Sequence, residues 1–379
     1  MKIAYITTHD PSDIYAWSGS VYFIRKALIA SGFQTCDIGN LQVGNRAILT
    51  CKSMFYELIL SKTYLPDRDR STLKYFAAQV DRQLESSDSG VAFSPGTIPI
   101  ACTRTRKPIV FWTDATFAGM IGFYPGFGNL CKETLNAGNE MEQSALRKCR
   151  LAIYTSEWAA ETALNNYDVD PSKIKIVPFG ANIEREPSFE DTLQCLAAKT
   201  FDRCKLLFIG VDWYRKGGDT ALKVAEALNK SGLDTELHVV GCKPPREVPD
   251  YVKVHGFVSK MTGAGRATLD RLYKTCHFLL LPSRADCYGV VFAEASSYGM
   301  PSIATNIGGI PSVVKSGVNG WLLDREAGPE EYARQIINVL FPVENYRELA
   351  MSAFYEYRRR LNWSVSGKAV ADLINSCCA

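Results

Sequence analysis

Asp286 and Glu294 stand eight positions apart, on either side of Tyr288-Gly289-Val290-Val291. A carboxylate accepts hydrogen bonds from sugar hydroxyls, and the unpaired N–H groups at a helix start attract phosphate. Were all eight steps helical they would span ~12 Å at ~1.5 Å per residue, on the order of a diphosphate with a sugar at each end. On this reading Glu294 takes ribose hydroxyls, Asp286 takes a second sugar, and the amides around Tyr288 to Val291 hold the charge between. The spacing fits equally a solvated helix acid and an ordinary loop acid. Arg215-Lys216-Gly217 is the other chemical stretch: two cations at a strand-to-helix turn can neutralise a diphosphate and the charge that grows on a leaving group. Ser18-Gly19, small residues at a helix start, read as a further amide cradle for phosphate. Asp114 and His9 fall at carboxyl ends of expected strands, where α/β proteins place ligands. Helix capping by Asp114 and a structural role for His9 are the alternatives. Asp67-Arg68-Asp69 has the spacing of metal-dependent transferases, but it sits in an arginine-flanked turn and not after a strand, so no metal site is expected.

These residues need strands and helices to hold them. The apolar run 278–281 predicts a buried parallel strand, stopped by Pro282 and Ser283. A loop leads to Gly289 and a helix of about a dozen residues ending at Tyr298-Gly299. A strand over 302–305 and the turn Gly308-Gly309 follow. Residues 205–210 predict the first strand of this sheet, with Arg215 to Gly217 before a helix over 220–231; 236–241 and 254–258 are further strands. From Pro329 onward the pattern is helical. In the amino-terminal half, 2–7 reads as a strand and 21–31 as a helix, with further strands at 90–93, 108–112 and 151–154. Ser156 is placed to cap a helix starting at Glu157. Residues 45–85 read as a locally basic amphipathic helix broken at Pro66, its apolar side expected over the core. The polar stretch 184–203 reads as a hinge. Alternating strands and helices give an α/β class with two doubly wound, Rossmann-like domains.

The 379 residues suit two domains, and 46% hydrophobic with 22% charged residues is a globular composition. A net charge of +3 implies no nucleic-acid partner. Twelve cysteines are scattered without a Cys-x-x-Cys pair, which suits a reducing compartment better than disulfides or zinc. A strand directly after Met1 leaves no room for a signal peptide, and no apolar run approaches the ~18 residues of a membrane span. A cytoplasmic protein is expected, with peripheral membrane contact left open and the oligomeric state unknown.

Together, Asp286, Tyr288-Gly289, Glu294, Gly299-Met300-Pro301, Gly308-Gly309-Ile310-Pro311 and Gly317-Val318-Asn319-Gly320 resemble the donor-binding signature of the retaining glycosyltransferases of family four (glycosyl transferases group 1). The resemblance implies a GT-B fold, with the active cleft between an acceptor domain over 1–187 and a donor domain over 188–360, and with a helix over 361–379 crossing back to the first domain. It implies transfer of a sugar from a nucleotide-diphosphate sugar to an acceptor hydroxyl with retention of configuration, without a cofactor or metal. The acceptor would be a saccharide, a lipid-linked molecule or a small molecule. Lys216 matches the family's lysine. Backbone groups of Phe257 and Val258 would meet the base, and Asp114, near a family histidine, would orient the acceptor. The chain departs from the pattern at Val211, where the family has arginine; at Asp286, where it usually has glutamate; and at Ser18, where it has a second glycine. A nucleotide-sugar epimerase or phosphorylase on the same fold, or a non-catalytic partner of a transferase complex, are the alternatives.

Overall fold

Short apolar runs covered by helices on both faces have one stable outcome, a parallel sheet. The computed structural model describes residues 1–378 and contains two such sheets, in two units. The first unit comprises Met1–Phe179 with the chain from Trp363 onward; the second is Gly180–Asn362.

In the first unit the strands are β1 (Lys2–Ile6), β2 (Gln34–Ile38), β3 (Val91–Ser94), β4 (Ile109–Thr113), β5 (Leu151–Tyr154) and β6 (Ile174–Ile176), all parallel, in the order β2-β1-β3-β4-β5-β6. β3, β4 and β5 are buried along their whole length. Their connections carry α1 (Ser20–Ala30), α2 (Arg46–Leu60), α3 (Arg70–Glu85), the short α4 (Phe117–Met120), α5 (Lys132–Lys148) and α6 (Glu157–Asn166). Ser156 caps α6 by accepting from the Ala159 N–H at 3.1 Å, as its position predicts. β2 was not legible: it is an edge strand with only Ile38 buried, so it lacks the apolar signal.

The expected helix over 45–85 is two helices joined by a 3₁₀ turn at Pro66–Arg68. Asp69 ends that turn and caps α3. Burial alone would raise the Asp69 pKa, but hydrogen bonds from Lys52, Ser71 and Tyr64 hold it below the usual carboxylate range. Its role is thus structural. α2 does not lie with its apolar side over the core. Only Leu49 is buried, while Ile48, Met54, Phe55, Leu58 and Ile59 are 52–71% exposed.

The second unit repeats the plan with β7 (Cys204–Ile209), β8 (Thr235–Val240), β9 (Val252–Gly256), β10 (Phe278–Leu281), β11 (Ser302–Thr305) and β12 (Gly320–Leu323), in the order β12-β11-β10-β7-β8-β9. Its helices are α7 (Phe189–Ala198), α8 (Gly218–Lys230), α9 (Gly263–Thr275), α10 (Val290–Ser297), α11 (Ile310–Val313), α12 (Pro329–Leu340) and α13 (Val343–Arg360). The final helix, α14 (Trp363–Cys378), belongs to the first unit and packs on α1, where Gly367 lies against Ala27 and Ser31. Ala379 lies outside the described residues.

Three expectations are corrected here. Residues 184–203 are not a structureless hinge: they hold α7, opened by a capping box in which Ser188 and Asp191 exchange hydrogen bonds at 3.0 Å. The first boundary falls after Phe179 rather than after 187, since Ala181 N–H already bonds the Leu361 carbonyl of the second unit at 2.9 Å. The helix expected to run a dozen residues from Gly289 has eight.

Candidate active site

β7 and β10 lie side by side, Leu206 against Phe278 and Leu207 against Leu279. From this pair the chain runs outward in opposite directions, to β8 and β9 on one side and to β11 and β12 on the other. Such a switch point opens a crevice at the carboxyl ends of the strands. The loops leaving β7 and β10 are those that carry Arg215-Lys216-Gly217 and Asp286 to Gly289.

The two loops are locked together. Gly217 has φ +77°, and a Cβ there would lie 1.9 Å from the Pro282 carbonyl oxygen, so only glycine lets the β7 turn approach the β10 loop. Arg284 N–H bonds the Arg215 carbonyl at 2.7 Å, and Arg215 Nη1 bonds the Ala285 carbonyl at 3.0 Å. Asp212 fixes the turn from behind by accepting the Arg215 N–H at 2.9 Å. The Arg215 guanidinium thus braces the loop after β10. The Arg284 guanidinium lies 4.3 Å above the Tyr214 ring. Val211, at the family's arginine position, is 71% exposed and contributes no charge.

Lys216 and Asp286 come together: the lysine Nζ donates to Asp286 Oδ2 in an ion pair buried on both sides. Asp286 is shorter than glutamate, and this pairing fixes where its carboxylate sits. Gly289 has φ +83°, and a Cβ there would lie 2.7 Å from the Phe292 ring and 3.2 Å from Asp286 Oδ2. It opens α10, and no side chain caps that helix. Val290 is half-buried and Tyr288 and Val291 are buried, so the helix start offers backbone and not side-chain polarity. Gly309 N–H bonds the Asp286 carbonyl at 3.1 Å, docking the Gly308-Gly309 turn on the same loop. Asn319, fully buried, ties Ser296 of α10 to the Val313 carbonyl and the Lys315 N–H.

Glu294 is 2% exposed, and both carboxylate oxygens have protein partners. Oε1 accepts from Lys260 Nζ at 2.5 Å and Oε2 from the Tyr273 hydroxyl at 2.7 Å. Neither acid is the solvated residue that spacing alone allowed. Lys260 also donates to the Asn182 carbonyl at 3.2 Å. Burial, and then the Glu294 charge, push the Tyr273 pKa well above its ordinary value, so it remains a donor. Sequence reasoning missed Lys260 and Tyr273. The only trace is that Tyr273 falls on the buried stripe of α9 with Leu269 and Leu272. Phe257, after β9, is 65% exposed and Val258 is half-buried.

On the first domain, Ser18 (φ +57°) and Gly19 (φ +95°) form the left-handed turn that opens α1, together with Trp17 at φ +50°. His9 meets the Trp17 ring edge-on at 6.5 Å. Asp114 directly follows β4 and is half-buried. The cap of α4 is Thr116, whose Oγ1 accepts from Gly119 N–H at 3.0 Å, so capping does not account for Asp114. Among the described residues no group of three His, Cys, Asp or Glu side chains could hold a metal ion.

With this geometry in place, residues 203–341 match the sequence model of the Glycosyl transferases group 1. This stretch of the carboxyl-terminal domain is similar to that family. The group 1 match covers β7 to α12 and so includes Lys216, Asp286, Gly289 and Glu294. A D-inositol 3-phosphate glycosyltransferase of Corynebacterium glutamicum is 25% identical over 244 residues, 60% of this chain and 57% of that one. The chain thus spans a little over half the length of the curated relatives it matches. Among solved structures, the sucrose-phosphate synthase of Thermosynechococcus elongatus superposes with a TM-score of 0.71 at 18% identity, over 99% of this chain and 98% of that one. Anabaena Alr3699/HepE in complex with UDP-glucose gives 0.66 at 16% identity, over 99% and 100%. Both likenesses show the fold, two Rossmann-like domains of the GT-B kind.

Proposed function

We propose that this protein is a retaining glycosyltransferase that moves a sugar from a nucleotide-diphosphate sugar to an acceptor hydroxyl in glycan or glycoconjugate synthesis. The buried Lys216–Asp286 pair beside the uncapped start of α10, with Glu294 buried in the same helix, carries this reading. The diphosphate would lie on the α10 amides and Lys216, which supply fixed positive potential where charge develops on the leaving phosphate. That stabilisation needs no metal. Glu294 keeps unused lone pairs beside those held by Lys260 and Tyr273, and ribose hydroxyls would donate to them. Asp286 would orient the transferred sugar, and the leaving phosphate would take the acceptor proton on the same face. Phe257 and Val258 would border the base, Ser18 and Gly19 would add amides, and Asp114 would orient the acceptor. The UDP-glucose seen in the Anabaena protein supports a nucleotide-sugar donor here.

The test is isothermal titration with UDP, ADP and GDP. One of them is expected to bind wild type, and Glu294→Gln and Lys216→Ala are each expected to weaken it by about tenfold or more, the loss of one charge-assisted hydrogen bond. Unchanged affinity in both variants would remove the site.

The outward face of α2 supports peripheral membrane contact. Its apolar side chains point away from the fold, with Arg46 at one end and Lys62 just beyond the other. This is the arrangement of a helix lying in an anionic lipid surface. Among the described residues no helix is long and apolar enough to cross a membrane.

A further inference from the structure

The loop that leads into β4, Arg104-Thr105-Arg106-Lys107, forms one wall of an open depression of about 1050 Å³ on the first domain. One side of α3 forms a second wall and brings in Lys74 and Arg82. The end of α5 forms a third and brings in Lys148. Six cations thus face one concavity, against two carboxylates, Asp81 and Glu85.

The walls are fixed by the protein. Asp81 is committed to the loop backbone: both its oxygens accept from Arg104 N–H at 3.0 Å. Lys107 Nζ donates to the carbonyls of Ser87 and Ser89 at 3.2 and 2.6 Å, and Lys148 Nζ to those of Ala101 and Thr103 at 2.8 and 3.0 Å. Two cations are therefore spent on holding the rim. Among the described residues the side chains of Lys74, Arg82, Arg104 and Arg106 have no hydrogen-bond or ion-pair partner. Elsewhere the surface arginines Arg25, Arg70 and Arg203 are paired, with Asp37, Glu140 and Asp234. Like charges gathered in a concavity repel one another and raise the local concentration of anions. Three guanidinium forks match phosphate oxygens two at a time, which lysines alone would not do.

We infer that this depression binds a compact ligand carrying two or more phosphate groups, either a soluble polyphosphorylated molecule or a phosphorylated lipid headgroup. The site lies where the chain enters β3 and β4, at the opposite end of the sheet from Ser18, Gly19 and Asp114, and is independent of the donor site in the second domain.

Inorganic tripolyphosphate is the probe, titrated calorimetrically at moderate salt. Wild type is expected to bind it, and Arg104→Ala combined with Arg106→Ala to weaken binding by about tenfold or more. Arg82→Ala should do so as well, while Lys230→Ala, on the surface of the other domain, should keep the signal. All three arginines are exposed, so these variants are expected to melt with wild type. Absence of binding, binding kept in the arginine variants, or binding weakened as much by Lys230→Ala overturns the proposal. Sedimentation with phosphatidylcholine vesicles, with and without a phosphatidylinositol bisphosphate, separates the sources. Arginine-dependent binding to the acidic vesicles identifies a headgroup, and competition by tripolyphosphate without vesicle binding identifies a soluble ligand.

Discussion

The Lys216–Asp286 pair is both a structural liability and the centre of the proposed chemistry. Two charges removed from water offset each other only while both are present. Asp286→Asn strands a buried ammonium and is expected to cost about 3–5 kcal/mol in chemical denaturation. Combining it with Lys216→Met should recover a large part of that loss, whereas additive losses would show that the two groups do not interact in solution. A different acid sets a pH dependence. Glu142 on α5 is 1% exposed, accepts a hydrogen bond from Thr97 Oγ1 at 2.8 Å, and is pushed by burial up to about 7. A folded value above the unfolded one means that the native state holds the proton more tightly. The contribution is present in full below about pH 4 and is lost as pH rises through about 7, by roughly 3 kcal/mol at most. Glu142→Gln removes that loss, so its melting temperature relative to wild type should rise from pH 5 to pH 8. A constant difference across that range would refute the assignment. At this scale legibility was uneven. Asp286, Gly289 and Glu294 were readable because one loop and one helix carry them in fixed order. Lys260 and Tyr273, which hold Glu294, lie 34 and 21 positions away, and no short-range rule joins them.

Among the elements, buried strands announced themselves through unbroken apolar runs, and β7 and β10 with the loops behind them stood where expected. Elements that draw stability from one face only did not. β2 is an edge strand and α7 a short helix that buries only Thr192 and Leu196, although the Ser188 to Asp191 spacing was a usable signal for α7. α2 misled in a more informative way. Its periodicity gave a helix, but periodicity does not say which side faces the core. Here six large apolar side chains face outward. Burying them in lipid would recover the transfer energy that folding leaves unused, about 25 cal/mol per Å². Phe55→Glu with Leu58→Glu is expected to abolish sedimentation with phosphatidylglycerol vesicles and to leave the unfolding free energy within about 1 kcal/mol of wild type, since neither residue is buried. A variant that still sediments with vesicles would exclude α2 as the contact. Wild type that self-associates without lipid, and a variant that does not, would assign the face to a second copy.

At the scale of the whole chain, the sheets are separate units, and the polypeptide passes between them twice, after Phe179 and before Trp363. A ligand that binds the folded state stabilises the unit it binds, by RT ln(1 + [L]/Kd), and about 100-fold excess over Kd gives about 2.7 kcal/mol. The two proposed sites lie in different units, so their ligands should leave different footprints. In hydrogen exchange, a nucleoside diphosphate is expected to slow the amides of β7, β10 and α10, and tripolyphosphate those at the starts of β3 and β4. The alternation of strands and helices predicted two units, but no sequence pattern marked the depression between α3, α5 and the loop before β4. Its cations are spread from Lys74 to Lys148, and they converge only when that loop is pinned by Asp81. For this reason the two footprints should also separate by mutation. Asp81→Asn weakens that pin and should erase the tripolyphosphate footprint while leaving the nucleotide one intact. Protection of a single common set of amides by both ligands would show that one of the two sites has been misplaced.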